Sequence, residues 1–449
     1  MELIKAIDLN PGESLAFIGA GGKTTAMFSL AKACNSPIVL TTSTHIGAWQ
    51  ALSADQHCIL DPGATISELN FEKGHLLLIT GQPDEEDRLI GLDMDTLTVL
   101  SHWCKSHEIP LLIEADGARQ SCLKAPADHE PNLPAWIEKV VVVSGMIALG
   151  KPLTSKYVHR PERFSELTGL KLGDIIRVED YVSLLKSTQG GLKGIPPRAQ
   201  RVLFLNQAEG PILQASAGRI ARSLTSFYNR ILIGSLHASQ PEDAITCVCS
   251  KTAGVVLAAG GSRRLGRPKQ LLRWQGETYI RCVVKNALAA GLEPLVVVTG
   301  SDHDEIVASI RDLPVMLTHN SDWQSGMASS MKAGLCRLPD DCESVMFLLA
   351  DQPHIPTFMI RQLLERFAQH RAPITAPRVN DRRANPVLFA EETFDALMTV
   401  RGDQGGRAVF HQFDVDWLPW MDERVLLDVD EPEDEQTLLD AYFLGQRPE

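Results

Sequence analysis

"LAAGGSRRLGRPKQ", residues 257–270, is the stretch that decides how the second half of the chain is interpreted. It follows an apolar run, Gly254 to Ala259, which predicts a buried strand. Three glycines and four cationic side chains then fall in one loop before an amphipathic pattern resumes. Glycines let a backbone approach a ligand closely, and the cations attract negative charge, so this loop is predicted to hold an anion.

The same device occurs near the start of the chain, in "SLAFIGAGGKTT", residues 14–25. Further apolar runs in each half alternate with helical stretches, which is typical of a mostly parallel sheet covered by helices on both faces. Ligands of such sheets bind at the carboxyl ends of the strands, where both glycine loops fall. The fold class predicted is therefore α/β, with one glycine loop in each half.

The domain boundary is expected in "SQPEDAITCVCSKT", Ser239 to Thr252, because this segment is polar, contains a proline and has no amphipathic period. A length of 449 residues exceeds that of one ordinary domain. We therefore predict two domains, residues 1–245 and 252–449. The pair Cys247 and Cys249 lies in this segment, and a buried or linker pair is favoured over a zinc site, which would need more ligands.

Composition excludes several classes of protein. A net charge of −13 argues against binding nucleic acid, which requires a basic face. No apolar run reaches membrane-spanning length, and the first residues, "MELIKAIDLNPGE", do not have the pattern of an export signal. Nine scattered cysteines fit a reducing compartment. We expect a cytoplasmic protein without membrane or nucleic-acid partners.

The first glycine loop, "GAGGKTT", carries the chemistry needed to bind nucleotide phosphates. Its backbone amides can cradle phosphate oxygens, its lysine can neutralise them, and the following threonine can reach a magnesium ion. The longer phosphate-loop motif would need glycine where this chain has Phe17, and the stretch instead resembles the shorter loop of the Mur ligase and folylpolyglutamate synthase families. ATP or GTP is the expected ligand of this P-loop-like domain. The nucleotide-binding residues predicted are Gly19, Gly21, Gly22, Lys23, Thr24 and Thr25.

Two further segments of the first half carry polar groups at predicted strand ends. In "LLIEADGAR", Glu114 and Asp116 could hold magnesium, since that hard cation prefers oxygen ligands; the alternative is a solvated strand end with a turn. "FLNQAEG" is similar to the N-K-x-D base-reading loop of GTPases, with Gln207 in place of Lys and Glu209 in place of Asp. Carboxylate acceptors can read a guanine edge, but turn chemistry explains this segment equally well.

Five segments of the first half together resemble one protein family: "FIGAGGKTT", "TTSTHI", "IEADGAR", "LKAPADHEP" and "LNQAEG". The family is that of accessory proteins associated with selenium-dependent molybdenum hydroxylases, and the resemblance covers most of residues 1–240. It implies a nucleotide site and a role in maturation, with a molybdenum hydroxylase as recipient. His45 and Lys124 lie in matching segments, although a lone histidine or lysine is more often structural or solvated.

The second half resembles the nucleotidyltransferases that finish the molybdenum cofactor. "LAAGGSRRLGRPKQLLRWQG" is similar to their signature L-A-A-G-x-S-x-R-M-G-x-x-K-x-L-L, with Leu265 in place of Met. The resemblance implies a Rossmann-like (GT-A-like) nucleotidyltransferase domain with a mostly parallel sheet. Arg264 and Lys269 would be catalytic, neutralising the charge that grows on the phosphates in the transition state. The loop residues implied to surround the triphosphate are Ala259, Gly260, Gly261 and Ser262.

Later segments match further elements of that family in chain order: "NSDWQSGMASSMKAGL", "LLADQP", "RRANPVLF", "RGDQGGR" and "DVDEPED". Asp351 matches a catalytic, magnesium-binding aspartate, and Asp430 is the candidate second magnesium ligand. Ala384 departs from the glycine usual before N-P or H-P. Each acidic match alone is better explained by a helix cap or surface charge, but together and in order they favour function. The substrate-binding residues implied are Gly326, Ser329, Asn385, Asp403 and Arg407.

The resemblance implies a cytidylyltransferase, because relatives that transfer cytidylate read L-A-A-G, as residues 257–260 do, while those that transfer guanylate read L-A-G-G. The phosphate of molybdenum-bound molybdopterin would attack the α-phosphorus of CTP, giving the cytosine dinucleotide cofactor and pyrophosphate. Positioning and charge neutralisation suffice for such a transfer, so no protein nucleophile is expected. The alternatives are a sugar-phosphate or guanylate nucleotidyltransferase, and a non-catalytic delivery chaperone switched by nucleotide.

Overall fold

The computed structural model divides the chain into two compact units, Met1–Ser250 and Lys251–Glu449. Among the residues it describes, no helix combines the length and apolar character needed to cross a membrane. The described residues are all except 62, 64, 65, 67, 68, 70, 72–74, 87, 119, 262–266, 428–433, 435, 436, 439–441 and 443–449.

The first unit alternates strands and helices along most of its length. Its helices are α1 Leu3–Ile7, α2 Lys23–Ala33, α3 Met94–Ser106, α4 Pro161–Thr168, α5 Val178–Lys186 and α6 Gly210–Leu224. Its strands are β1 Ser14–Gly19, β2 Ile38–Thr42, β3 His45–Gly47, β4 Gln56–Ile59, β5 Leu76–Thr80, β6 Arg88–Ile90, β7 Leu111–Glu114, β8 Leu123–Lys124, β9 Lys139–Gly145, β10 Val158–His159, β11 Gln200–Asn206, β12 Arg230–Gly234 and β13 Ile245–Ser250.

Nine of these strands form one sheet in the order β13-β12-β11-β9-β1-β7-β2-β5-β4. All neighbours in this sheet are parallel except β12 and β13. Alternate residues of β1 enter opposite cores: Leu15 and Phe17 pack on one face, Ala16 and Ile18 on the other. A strand buried on both faces must be apolar throughout, which is why β1 has no polar alternation. The parallel arrangement brings the carboxyl ends of β1, β7, β9 and β11 to one edge.

The segment in which the domain boundary is expected contains a strand. Within Ser239 to Thr252, β13 pairs antiparallel with β12 and closes one edge of the sheet. Pro241 precedes the strand in a short 3-10 turn, so the proline marks the entry to β13. The first unit therefore extends to Ser250.

The second unit has ten strands and five helices among its described residues. The helices are α7 Tyr279–Ala290, α8 His303–Ile310, α9 Met327–Leu335, α10 Thr357–His370 and α11 Phe394–Thr399. The strands are β14 Ala253–Ala258, β15 Arg273–Trp274, β16 Glu277–Thr278, β17 Leu295–Thr299, β18 Met316–His319, β19 Ser344–Leu349, β20 Ile374–Val379, β21 Arg382–Arg383, β22 Val387–Ala390 and β23 Val415–Pro419.

The sheet of the second unit is mixed. Its order is β18-β17-β14-β19-β22-β20-β21, with β23 paired to β20. The four strands from β18 to β19 are parallel, as expected, whereas β22 runs antiparallel to both of its neighbours. The parallel half places the glycine loop after β14 beside the end of β19. Both units are thus α/β with sheets rich in parallel pairs.

The loop after β1 can be built only with glycine at its closest contacts. Gly19 and Gly21 have φ of 93° and 89°, which L side chains rarely adopt. A Cβ on Gly19 would clash with the carbonyl oxygen of Val143 in β9, and one on Gly21 with the amide of Gly145. The loop therefore rests directly on the end of β9.

We predict that Gly19→Ala lowers the free energy of unfolding of the first unit by at least about 2 kcal/mol, since a Cβ there adds both strain and a backbone clash. Urea denaturation followed by circular dichroism measures this change. Gly117→Ala is the matched control, because nothing lies within 4 Å of a Cβ at Gly117 and its φ is not left-handed. Equal stability of the two variants would contradict this account of the loop.

Candidate functional site

Lys23 begins α2 directly after the first glycine loop, and its side chain is only 3% exposed. Its Nζ donates to the carbonyl oxygen of Gly19 at 2.8 Å and lies 3.0 Å from Asp116 Oδ1 and 3.8 Å from Glu114 Oε1. Burial alone would lower the pKa of Lys23, but the two carboxylates outweigh it, and the pKa is raised. The ammonium group of Lys23 therefore stays charged at the end of the first glycine loop.

Asp116 joins the loop to a second buried lysine. Its Oδ2 accepts the amide of Gly19 at 3.0 Å and lies 2.8 Å from Nζ of Lys124, whose side chain is 1% exposed. Lys124 also contacts Glu130 at 3.0 Å, and Glu130 in turn pairs with Arg160 at 2.7 Å. Burial works against ionisation of Glu130, but Lys124 and Arg160 lower its pKa from 4.5 to about 2. Side chains of alternating charge thus form a series of ion pairs from the first glycine loop to Arg160.

Glu114 and Thr24 form a different arrangement on the other side of Lys23. Thr24 Oγ1 donates to Glu114 Oε2 at 2.8 Å. Burial raises the pKa of Glu114, and the nearby Lys23 and Thr24 only partly offset this. A carboxylate bonded to the hydroxyl that follows the loop lysine is a donor set that suits magnesium. Asp116, by contrast, already pairs with the ammonium groups of Lys23 and Lys124 and accepts a hydrogen bond from the amide of Gly19.

Other buried polar atoms at the same edge have no hydrogen-bond partner among the described residues. They are Thr41 Oγ1 in β2, Ser144 Oγ in β9 and Gln207 Oε1 after β11. Buried polar atoms are usually paired, so their gathering at one edge indicates a place for a polar ligand. Thr25 is exposed on α2, and His45 is half exposed in β3, 3.9 Å from Asp84.

The second glycine loop follows β14, and its first three predicted residues, Ala259, Gly260 and Gly261, are described. Buried Gln270 donates to the carbonyl oxygen of Gly260 at 2.8 Å, which ties the far end of the loop to its start. Lys269 Nζ lies 3.9 Å from Asp351 Oδ2, just beyond β19. Ser262, Arg264 and Asp430 lie outside the described residues.

The predicted substrate residues converge from two segments. Met327, at the start of α9, donates its amide to Asp403 Oδ1 at 3.2 Å. Gly326 has φ of 110°, and a Cβ there would meet the backbone of Gly402. Ser329 accepts a hydrogen bond from Asn320 at 2.8 Å, which fixes the turn before α9. The glycine therefore permits close seating of this turn on residues 402–409.

Arg383, which the sequence motifs did not single out, belongs to the same region. Its guanidinium stacks 4.8 Å from the ring centre of Phe410, and Arg407 lies one turn before that phenylalanine. Burial and the charge of Arg407 lower the pKa of Arg383. Neither arginine forms an ion pair with a carboxylate in the part of the chain that the structure describes. Two interacting guanidiniums without such a partner form a candidate anion site.

Fold and loop chemistry together define an α/β protein of two units, each with a glycine loop and a cation at the carboxyl edge of its sheet. Residues 15–162 match the family described as YqeC protein, and residues 254–416 match the MobA-like NTP transferase domain. The chain belongs to the YqeC family in its first half and to the MobA-like NTP transferase family in its second.

Three curated relatives illustrate both halves. Protein YqeC of Escherichia coli (strain K12), named as uncharacterized, is 30% identical over 45% of this chain and 79% of its own length. Nicotine blue oxidoreductase of Paenarthrobacter nicotinovorans is 33% identical over 41% of this chain and 95% of its own length. A probable molybdenum cofactor guanylyltransferase of Bacillus cereus (strain ATCC 10987 / NRS 248) is 31% identical over 31% of this chain and 68% of its own length. These relatives confirm the fusion expected from the motifs.

We predict that Glu130→Gln lowers the free energy of unfolding at pH 7 by about 3 kcal/mol, because it removes a carboxylate whose pKa is about 2 when folded and 4.5 ordinarily. This stabilisation is present above pH 4.5 and is lost as the pH falls towards 2. The difference from the parent protein should therefore narrow below pH 4.5, as measured by urea denaturation at several pH values. Glu162→Gln, an exposed glutamate, is the control. A difference independent of pH would contradict the ion-pair account.

Proposed function

We propose that the second unit transfers a cytidylyl group from CTP to the terminal phosphate of molybdenum-loaded molybdopterin. An oxygen of that phosphate attacks the α-phosphorus of CTP, the bond between the α-phosphorus and the bridging oxygen breaks, and pyrophosphate leaves. The observation that supports this most is that Lys269, in the turn after the glycine loop, lies 3.9 Å from Asp351, which follows β19, the parallel neighbour of β14. Membership of the MobA-like NTP transferase family supports the reaction class.

The roles of the nucleotide-side residues follow from their charge. Lys269, with Arg264, would neutralise phosphate charge as the transfer proceeds. Ala259 to Gly261 with Ser262 would let the backbone approach the triphosphate. Magnesium, when bound, would be held by Asp351 with phosphate oxygens and Asp430, and would neutralise charge on the phosphates. One or two protein carboxylates plus substrate phosphates is the usual surrounding of this ion.

The substrate side would be formed by the turn at Gly326 and Ser329, by Asn385, and by Asp403 with Arg407. Arg383, stacked on Phe410 and not ion-paired among the described residues, adds a second guanidinium for the phosphate of molybdopterin. Planar guanidiniums bind phosphate through paired hydrogen bonds. The stacking of Arg383 on Phe410 also fixes the plane of the Arg383 guanidinium.

The choice of CTP rests on Ala259. Its side chain is buried against Gly300, where a Cβ would lie 2.9 Å from the Ala259 methyl group. The support for CTP is the sequence L-A-A-G at residues 257–260, which resembles that of relatives that transfer cytidylate. Transfer of guanylate is the second candidate, and it is favoured by the relatives named as probable molybdenum cofactor guanylyltransferases.

For the first unit we propose a nucleotide-binding accessory role, in which the P-loop-like segment from Gly19 to Thr25 binds ATP or GTP. Thr24 and Glu114 would hold its magnesium ion, while Asp116 holds the loop. The finished cofactor would pass to a molybdenum hydroxylase, in the cytoplasm, and a selenium-dependent enzyme is the recipient class suggested by the family resemblance. The buried Lys23 at the base of the loop supports the nucleotide role.

We expect pyrophosphate release from purified protein with magnesium and molybdenum-loaded molybdopterin to be fastest with CTP, compared with GTP and ATP. Asp351→Ala should slow it by about 100-fold or more, because a magnesium ligand is lost. Asp340→Ala, an exposed aspartate, is the control. Faster release with GTP would establish the guanylate alternative. Release only with a sugar phosphate would favour the sugar-phosphate transferase, and nucleotide binding without release would favour the delivery chaperone.

We also expect Arg383→Ala to raise the KM for molybdopterin about 10-fold or more, because a hydrogen bond to a charged group contributes about 1.5–3 kcal/mol. Steady-state kinetics with the pterin substrate varied measures this effect. The neighbouring Arg382→Ala is the matched control, since no aromatic ring among the described residues stacks on the guanidinium of Arg382. Equal effects of the two substitutions would contradict the assignment.

A further inference from the structure

Two adjacent strands of the first unit, β11 and β12, end beside the phosphate loop and carry a set of polar side chains that the phosphate chemistry does not use. These are Asn206 at the end of β11, Glu209 shortly after it, and Ser235 after β12. The sequence alone left this segment undecided between a turn and a base-reading loop. The contacts made by these three residues distinguish the two interpretations.

Asn206 connects the segment to the phosphate loop. Its side chain is buried, and Nδ2 donates to the carbonyl oxygen of Gly21 at 2.8 Å. Its Oδ1 accepts the amide of Leu236, in the loop after β12, at 3.1 Å. One amide side chain therefore fixes the phosphate loop, the end of β11 and the end of β12 relative to one another. A turn that served only local structure would not need a bond to Gly21.

One oxygen of the Glu209 carboxylate is held by a hydrogen bond, and the other is not, within the described part of the chain. Its Oε1 accepts a hydrogen bond from Ser235 Oγ at 2.8 Å. In the described part of the chain, its Oε2 has no hydrogen-bond partner, and the residue is exposed. Glu209 also precedes α6 without bonding to the amides of that helix, so it does not act as a helix cap. The serine thus orients an acceptor that faces outward.

An oriented carboxylate accepts two parallel hydrogen bonds and donates none. Guanine offers matching donors, because its ring N1–H and its exocyclic N2 amino group lie side by side. Adenine presents an acceptor at N1 beside its N6 amino group, so it can donate only one of the two hydrogen bonds and would place a lone pair against the carboxylate. A site built to accept hydrogen bonds rejects the analogue that lacks the donors by a large factor.

We infer that the first unit binds a guanine nucleotide, and that Glu209, oriented by Ser235, selects the base. Asn206 sets the spacing between the base site and the phosphate loop. This inference rests on the proposed nucleotide-binding role of the loop from Gly19 to Thr25. It narrows that role from ATP or GTP to GTP and its guanine relatives.

The test uses the full chain, with magnesium, in calorimetric titrations with GTP, ATP and xanthosine triphosphate. Binding to the first unit is the part that Lys23→Ala removes, which separates it from nucleotide bound by the second unit. The parent protein should bind GTP at least about 10-fold more tightly than the other two nucleotides, a difference of about 1.4 kcal/mol. Glu209→Gln should weaken GTP binding about 10-fold and strengthen binding of xanthosine triphosphate, because the new amide donates to the oxygen at xanthine C2.

Glu242→Gln is the matched control, as an exposed glutamate nearby in the chain, and should change neither affinity. A gain in xanthine binding cannot come from misfolding, so the exchange of preference is the decisive result. Unchanged preference in Glu209→Gln, or equal Lys23-dependent binding of GTP and ATP, would overturn the guanine inference and leave the nucleotide role intact. GTP binding that Lys23→Ala does not reduce would overturn the nucleotide role itself.

Discussion

One buried carboxylate, that of Asp116, holds the first glycine loop in place. It lies between Lys23 and Lys124, and both ammonium groups are almost completely removed from water. A buried cation without a partner is costly, and Asp116 is the carboxylate that both buried lysines share. Because Asp116 also accepts the amide of Gly19, the ion pairs and the loop geometry depend on the same group.

The proposed nucleotide role requires a buried lysine that can still meet a phosphate, and this arrangement is compatible with it. An incoming phosphate would supply the negative charge that Asp116 and Glu114 supply to Lys23 without it. Asp116 would keep Lys124 and the loop amide, so the loop need not collapse. In the second unit, burial and the charge of Arg407 lower the pKa of Arg383, and neither arginine forms an ion pair with a carboxylate among the described residues.

The sequence was sufficient to predict those features that depend on residues close together in the chain. The apolar runs, the glycines and Lys23 or Lys269 predicted both loops and their place at strand ends, because a strand followed by a glycine loop is a local pattern. It singled out Lys124 only as part of a matching segment and did not single out Glu130 or Arg383, because their ion pairs and ring contact are formed only in the folded chain. It also gave no sign of β13 within the segment where the domain boundary is expected, because this edge strand carries polar residues and follows Pro241. The antiparallel direction of β22 cannot be recognised from its apolar sequence, since that strand is buried like the parallel strands β14 and β19 of the same sheet.

The central claim is that the chain has two separate nucleotide sites built by one device, a strand, a glycine loop and a cation. Equilibrium dialysis with labelled CTP and GTP together tests it most directly. The account predicts one CTP and one GTP bound at the same time, with Lys23→Ala removing only GTP and Lys269→Ala weakening only CTP. Competition of the two nucleotides for a single site would contradict it.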